Sequence, residues 1–275
     1  MANEQMRAFW DTQGAEWVRH HEIFDRLLAP FGGAVLAALA PVPGESVLDV
    51  GCGFGTTLAA LVDAGARAVG VDISTPMIEA ARERVPEATA FVADVQTDPL
   101  EPGAPYDGVL SRFGVMFFED PQAAFANIGA ATRPGGRLAF VCWRTMAENP
   151  LFTFGLPRLV AALPEPPPPP GPDAPGPCAF GDGDRTQAIL DGAGWSDADV
   201  VPFDSPIVFG GDGRDPVEDA MANLQRHPLV RALGEQLPAP ERDAVLERIR
   251  GDYADAVEDG RIVFPGAAWI VTARR

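Results

Sequence analysis

A chain of 275 residues, 47% of them hydrophobic, carries enough apolar surface to bury a full α/β core as one domain with insertions. Its formal charge of −18, with an isoelectric point near 4.4, repels phosphate backbones and anionic lipid; this excludes nucleic-acid and membrane partners and favours small molecules. With no apolar run of about eighteen residues and no basic-then-apolar leader, the expected protein is soluble and cytoplasmic, a monomer or homodimer.

Residues 1–40 read as one or two helices, with Phe9, Trp10, Trp17, Ile23, Phe24, Leu27 and Leu28 as apolar stripes interrupted at Pro30. Pro41 to Gly44 break the chain before a first strand. That strand, Val47-Leu48-Asp49-Val50, reads as buried and parallel, and runs into Gly51-Cys52-Gly53-Phe54-Gly55. Glycines let the backbone approach a ligand closely, and a helix starting there, capped by Thr56 or Thr57, presents unpaired N–H groups to it. The second strand, Ala68 to Asp72, ends in an acid seventeen positions after Gly55, placed to accept both hydroxyls of a ribose. The ligand is therefore a nucleoside. Thr56 stands where the third glycine of a dinucleotide fingerprint belongs, which disfavours a pyrophosphate.

Ser74 or Thr75 caps the next helix, with Pro76 in its first turn and its end near Pro86. Ile73 and Met77, just past the acid, are either core residues or an apolar pair against a flat ring. The third strand, Thr89 to Ala93, ends in Asp94-Val95. The fourth lies within Tyr106 to Phe118 and brings Ser111, Arg112 and Phe113 to the carboxyl rim, where open α/β sheets bind ligands. A helix follows from Pro121 through Ile128, then a turn at Arg133-Pro134-Gly135-Gly136-Arg137, then a fifth strand from Leu138 to Trp143.

Taken together, the G-x-G-x-G loop after Leu-Asp-Val and its following acid resemble the first motifs of class I S-adenosylmethionine (SAM) dependent methyltransferases. The string from Asp107 to Leu138 resembles the ubiquinone/menaquinone-type and type 11 small-molecule members; about a hundred positions are covered. The resemblance implies a Rossmann-like, seven-stranded, mostly parallel sheet with its last strand antiparallel, helices on both faces and helical lid insertions. It implies SAM as cofactor, S-adenosylhomocysteine (SAH) as product, and cofactor contacts from Asp49, Gly51, Gly53, Gly55, Thr56, Asp72, Ile73, Met77, Asp94, Val95 and Ser111. Asp94 would accept the adenine amino hydrogen while the Val95 N–H donates to the ring. The segment before the first motif folds over the cofactor in such enzymes, so Trp10, Trp17, Arg19 and His20 would face the site; the simpler reading is a helix on the sheet edge.

The remaining chain completes that sheet. Pro166 to Pro177 form a proline-rich crossover, Asp184 to Leu190 a helix, and Val200 to Val208 a strand. The last strand is either Arg261 to Phe264 or Ala268 to Ala273. Between them, 210–260 is too long for a hairpin loop and carries helical patterns at 216–233 and 239–257; it covers the sheet edge or roofs an acceptor pocket with Leu224, His227 and Leu229. The expected organisation is one catalytic domain over 1–275, with a helical lid at 1–44, a cofactor-binding core at 45–149, and the rest of the sheet with its insertion at 150–275.

The residues also bound the chemistry. All 21 basic residues are arginine, which excludes a lysine Schiff base and a Walker A loop, and the three cysteines and three histidines fall in no metal or disulfide spacing. Methyl transfer needs positioning more than a nucleophile on the enzyme; a base is required only for a protonated acceptor, and His20 and His21 are candidates, with His227 behind them. Trp10, Trp17, Phe113, Phe117 and Trp143 imply an apolar or aromatic acceptor. Arg112, like Arg144, would hold an acidic group of the acceptor or the methionine carboxylate, unless it makes an ordinary salt bridge. The expected function is SAM-dependent methyl transfer to a small molecule. The alternative is a SAM-binding protein of the same fold without transfer, a regulator or a scaffold for cyclisation.

Overall fold

The computed structural model describes residues 3–168, 171, 174–211 and 213–275, with Gln5 by its backbone alone. In chain order these form α1 (Glu4–Arg19), α2 (His21–Leu39), β1 (Ser46–Val50), α3 (Thr56–Asp63), β2 (Arg67–Asp72), α4 (Thr75–Arg84), β3 (Thr89–Val92), β4 (Tyr106–Arg112), α5 (Pro121–Ala130) and β5 (Thr132–Trp143). There follow α6 (Leu156–Ala162), α7 (Gly183–Gly192), β6 (Ser196–Gly210), α8 (Pro216–Leu224), α9 (Pro228–Gln236), α10 (Ala239–Asp255) and β7 (Arg261–Arg274). The sheet has seven strands in the order β3-β2-β1-β4-β5-β7-β6, parallel from β3 through β5, with β7 antiparallel to β5. Strand order reverses between β1 and β4, and the crevice at such a reversal is where open α/β sheets take their ligands.

Contacts divide the chain into two compact units: Met1–Thr145 with Pro172–Phe203 and Ala267–Arg275, and Met146–Gly171 with Asp204–Gly266. In the first, every residue of β1 is buried, as a central parallel strand requires. Helices α3 and α4 pack on β1, β2 and β3, α2 on β4 and β5, and α5 on β5 and α7. Phe31, Phe125, Phe140, Phe180 and Tyr106 are among its fully buried side chains. The second unit has its own apolar centre: Phe154 stacks on Tyr253 at 4.5 Å, Phe264 lies 5.3 Å from Phe154, and Ile249 and Leu233 are fully buried. Arg158 pairs with Asp252, and Arg250 with Glu218, on its surface.

Several boundaries depart from the sequence reading. The N-terminal helices part at His20, where φ is −110°, and not at Pro30, which lies inside α2. The proline is tolerated there because α2 buries Phe24, Leu27, Leu28, Phe31, Val35 and Leu39, and that packing outweighs one lost backbone bond. The Arg133–Gly136 run is not a turn before β5 but a bulge within it: Thr132 pairs with Tyr106 and Arg137 with Gly108, so four residues stand opposite the single Asp107. Asp107 explains why it holds, since its carboxylate accepts from the Ser46 N–H and from Arg133 Nε. The two candidates for the last strand are one strand, β7, running through both. The pattern at 216–233 is two helices, parted at His227-Pro228, because proline cannot continue the first. Part of the proline-rich stretch, 169–170 and 172–173, lies outside the described residues.

Pro30 is solvent-exposed in a helix interior, so Pro30→Ala restores a backbone donor without touching the core. The expected result is stabilisation by about 1–3 kcal/mol, read as a higher urea midpoint at unchanged slope.

Candidate functional site

The glycine bend is built by backbone alone. The N–H groups of Gly51 and Cys52 both donate to the Val71 carbonyl, at 2.8 and 3.1 Å, which ties the end of β1 to β2. Gly51, Gly53 and Gly55 all have φ in the left-handed region, at 67°, 54° and 89°. They differ in what surrounds them. A Cβ on Gly51 would stand 2.7 Å from Gly114 Cα and one on Gly55 3.3 Å from Ala81 Cα, whereas one on Gly53 would meet nothing nearer than Met77 Sδ at 3.9 Å. Gly51 and Gly55 are thus demanded by packing, and Gly53 opens toward a ligand.

Neither threonine caps α3 as expected. Gly55 occupies the cap position, because its left-handed backbone already turns the chain into the helix. The hydroxyls are used elsewhere: Thr56 Oγ1 donates to Asp25 at 2.5 Å, and Thr57 Oγ1 donates to Asp49 at 2.6 Å. Similarly, Ser74 stands at the N-cap of α4, but its hydroxyl donates to the Trp10 carbonyl.

Three acids line the carboxyl ends of β1, β2 and the segment after β3. Asp72 accepts from the Gly53 N–H at 3.0 Å with one oxygen and from the Ser74 N–H at 2.9 Å with the other, so the acid that ends β2 is fastened to the bend. A carboxylate has about four acceptor sites, and two remain for ligand hydroxyls. Burial pushes its pKa up, against those backbone donors. Asp94 is buried and its Oδ1 accepts from the Gln96 N–H at 3.0 Å; the neighbouring Val95 N–H carries no hydrogen bond among the described residues. Asn127 of α5 braces that turn through the Val95 and Asp98 carbonyls. Asp49 is fully buried, with Oδ2 on Thr57 and Oδ1 without any partner; desolvation drives its pKa to about 7, against the Thr57 hydroxyl and the Arg112 charge.

Helix α1 lies across these ends and is held by polar contacts that the sequence alone does not reveal. The Asn3 side-chain amide donates to Asp94 Oδ1 at 3.3 Å, and its backbone N–H donates to Glu119. Arg7 donates to the Ile73 carbonyl, and Asp11 accepts from the Thr75 N–H. Gly14 permits this approach, since a Cβ there would sit 2.7 Å from Ser74 Oγ. Asn3 has no signal in sequence; it precedes the helix in a left-handed conformation that asparagine tolerates, φ 66°.

The aromatic candidates fall into two sets. Trp10 packs edge-on against Phe117 at 4.8 Å, and Trp17 stacks on Phe24 at 3.8 Å. Phe113 stacks on Trp143 at 4.2 Å, with Phe31 edge-on to both. At that separation no planar ligand fits between Phe113 and Trp143. Ser111 is fully buried, its hydroxyl donating to the Val50 carbonyl and accepting from the Gly114 N–H, so it clasps β4 to β1. Met77 is buried beside Gly53, and Ile73 offers its carbonyl to Arg7. His20 lies 4.0 Å from Glu16 and His21 3.8 Å from Asp25, both at the helix break. His227 caps α9 in the second unit, its Nδ1 accepting from the Leu229 N–H, and burial lowers its pKa.

Residues 48–140 match the family described as "Methyltransferase domain", of type 11. The demethylmenaquinone methyltransferase of Renibacterium salmoninarum is 32% identical over 130 residues, 47% of this chain and 54% of that one. Residues 48–140 are thus similar to the methyltransferase domain of class I SAM-dependent enzymes. A second relative, the nocamycin O-methyltransferase of Saccharothrix syringae, is 30% identical over 145 residues, 50% of this chain and 48% of that one. Among solved structures, phosphoethanolamine N-methyltransferase 2 of Haemonchus contortus, in complex with phosphomonomethylethanolamine and SAH, shares the fold with a TM-score of 0.58 at 17% identity. The match covers 98% of this chain and 59% of that one. The chain spans about half the length of these curated relatives, and the family match at 48–140 takes in the glycine bend and its acids. Among the described residues, no helix is long and apolar enough to cross a membrane.

Asp49 gives a pH signature. Folded, it keeps its proton up to about pH 7, while an unfolded aspartate loses it near 3.8. Between those values the folded chain binds more protons, so this group's contribution to stability falls as pH rises through that window. Asp49→Asn removes the loss: at pH 8 the variant is expected to exceed wild type by about 2–4 kcal/mol, with the difference vanishing toward pH 4, in urea titrations across that range.

Proposed function

We propose that the chain binds SAM across the Gly51–Gly55 bend and transfers its methyl group to a small-molecule acceptor. The observation that carries this reading is the pair of acids at adjacent strand ends, Asp72 fastened to Gly53 and Asp94 beside the free N–H of Val95. Asp72 accepts the two ribose hydroxyls through its remaining lone pairs. Asp94 accepts from the adenine amino group, and the Val95 N–H donates to the ring. Asp49, desolvated and with one oxygen unmet, suits the α-ammonium of the methionine end.

When bound, the cofactor supplies a methyl carbon on a positively charged sulfur; that carbon passes to the acceptor's lone pair, and sulfur keeps the bonding pair as SAH. The chain's share is placement and the exclusion of water. Aligning two reacting atoms is worth roughly 7–11 kcal/mol, so no covalent nucleophile is needed. Helix α1, strapped to Ile73, Ser74, Thr75 and Asp94, is the element suited to close the site, with Trp10 and Phe117 as its apolar wall. His20 and His21 stand at the lid's hinge, where a base for a protonated acceptor would act.

Incubation with methyl-labelled SAM and a panel of phenols, quinones and amines tests the reading. Label on an acceptor is the expected result, and tight SAH binding without transfer across the panel would instead indicate a SAM-binding scaffold. Asp72→Ala is expected to weaken SAH binding roughly 10–100-fold in calorimetry, the loss of two hydrogen bonds to a charged group. Asn3 takes the same carboxylate that the adenine amino group would use, so Asn3→Ala is expected to tighten SAH binding by about fivefold, the release of one net hydrogen bond.

A further inference from the structure

On β4 the side chains of Gly108, Leu110 and Arg112 share one face of the sheet. The register Val47↔Gly108 and Asp49↔Leu110 puts Val47 and Asp49 on that same face of β1. Helix α2 covers it: Leu39 lies over Gly108, and the Arg112 stem runs along Gly32, where a Cβ would come within 3.4 Å of its Cδ. The guanidinium is thereby held beneath α2, just beyond Asp49 at the carboxyl end of the sheet. It is half-buried, yet makes no hydrogen bond and no ion pair within 4 Å among the described residues. Burial lowers its pKa, with Asp49 and then Asp25 opposing.

Two unmet groups of complementary character therefore stand near each other, Asp49 fully buried and Arg112 half-buried. Asp49 Oδ1 is buried with no partner, and Arg112 brings five donors with none engaged. They are close enough for each to influence the other's titration, but not paired. Desolvating both without joining them is costly, which points to a ligand that completes each. A lone anion at Arg112 would face Asp49 and Asp25, and a lone cation at Asp49 would face Arg112. A group with both signs on one carbon satisfies the two together.

We infer that Arg112 binds the α-carboxylate of the cofactor's methionine end, while Asp49 takes the α-ammonium beside it. This rests on the reading of the site as a SAM site and assigns Arg112 to cofactor, not acceptor. A planar guanidinium presents two parallel N–H groups to a carboxylate, so the contact orients the methionine chain as well as attracting it. It fixes the sulfur relative to the nucleoside held by Asp72.

The test uses two probes that differ only in the amino-acid end, SAH and 5′-methylthioadenosine, titrated calorimetrically into the full chain. Wild type is expected to bind SAH more tightly than methylthioadenosine. Arg112→Met keeps the apolar stem and removes the charge; it is expected to lose roughly 10–100-fold on SAH and nothing on methylthioadenosine, with Arg112→Lys recovering part of the loss. Unchanged SAH affinity in Arg112→Met, with only the acceptor's KM raised, would overturn the assignment and place Arg112 on the acceptor. Equal losses on both probes would overturn it too, as a structural effect; Arg112→Lys, which retains the charge and stem, separates these cases. Wild type binding neither probe would bring down the SAM reading itself.

Discussion

The site depends on a contact in which no side chain takes part. Gly51 and Gly114 approach so closely that a Cβ on either would lie under 3 Å from the other's backbone, and this lets the chain ends after β1 and β4 fold against each other at the strand-order reversal. Ser111 locks the same junction by donating to Val50 and accepting from Gly114. The double donation to the Val71 carbonyl fastens the bend to β2 on its other side. Gly53 is then presented with its N–H on Asp72 and open space above it. The adjacent strand ends, spaced about 4.8 Å apart, are what bring residues distant in sequence to one ligand.

Around this bend the protein keeps charge where charge is expensive. Asp49, Asp72 and Asp94 are withdrawn from solvent in a chain already carrying a formal charge of −18. Each is managed differently: Asp72 by two backbone donors, Asp94 by Gln96 and Asn3, and Asp49 by a single threonine hydroxyl and a raised pKa. The one left least satisfied is the one nearest Arg112. Such incomplete partnering is a common mark of a functional site, where stability is sacrificed for a ligand's use.

Helix α1 adds a second layer of control over the same acids. Its contacts to Ile73, Ser74, Thr75 and Asp94 all fall between the end of β2 and the start of α4 or just after β3, so the helix and the proposed nucleoside site share one set of groups. Gly14, which in a helix costs roughly 1 kcal/mol relative to alanine, is the residue that allows so close an approach. The aromatic pairs divide along the same line. Trp10 lies on the helix and Phe117 meets it, while Phe113 and Trp143 are stacked into the body of the first unit with Phe31.

From sequence alone, the parallel core was legible: the buried run at Val47–Val50, the three glycines, and the acid ending the second strand declare a βαβ unit and its ligand class through local chemistry. Local signals failed wherever tertiary contacts outvoted them. Pro30 does not end its helix because α2's buried face holds it; Thr56 and Thr57 do not cap α3 because Asp25 and Asp49 claim their hydroxyls; the Arg133–Gly136 run bulges within β5 because Asp107 sits opposite. The nearness of Arg112 to Asp49, and the hydrogen bond of Asn3 to Asp94, bring together positions 63 and 91 residues apart. No periodicity or motif encodes such pairs, since they arise only when strand register and helix packing set the distances. Sequence thus determined which strands and acids would gather at the glycine bend, and tertiary structure decided which of those acids find partners within the chain, because only packing and register set the distances between them.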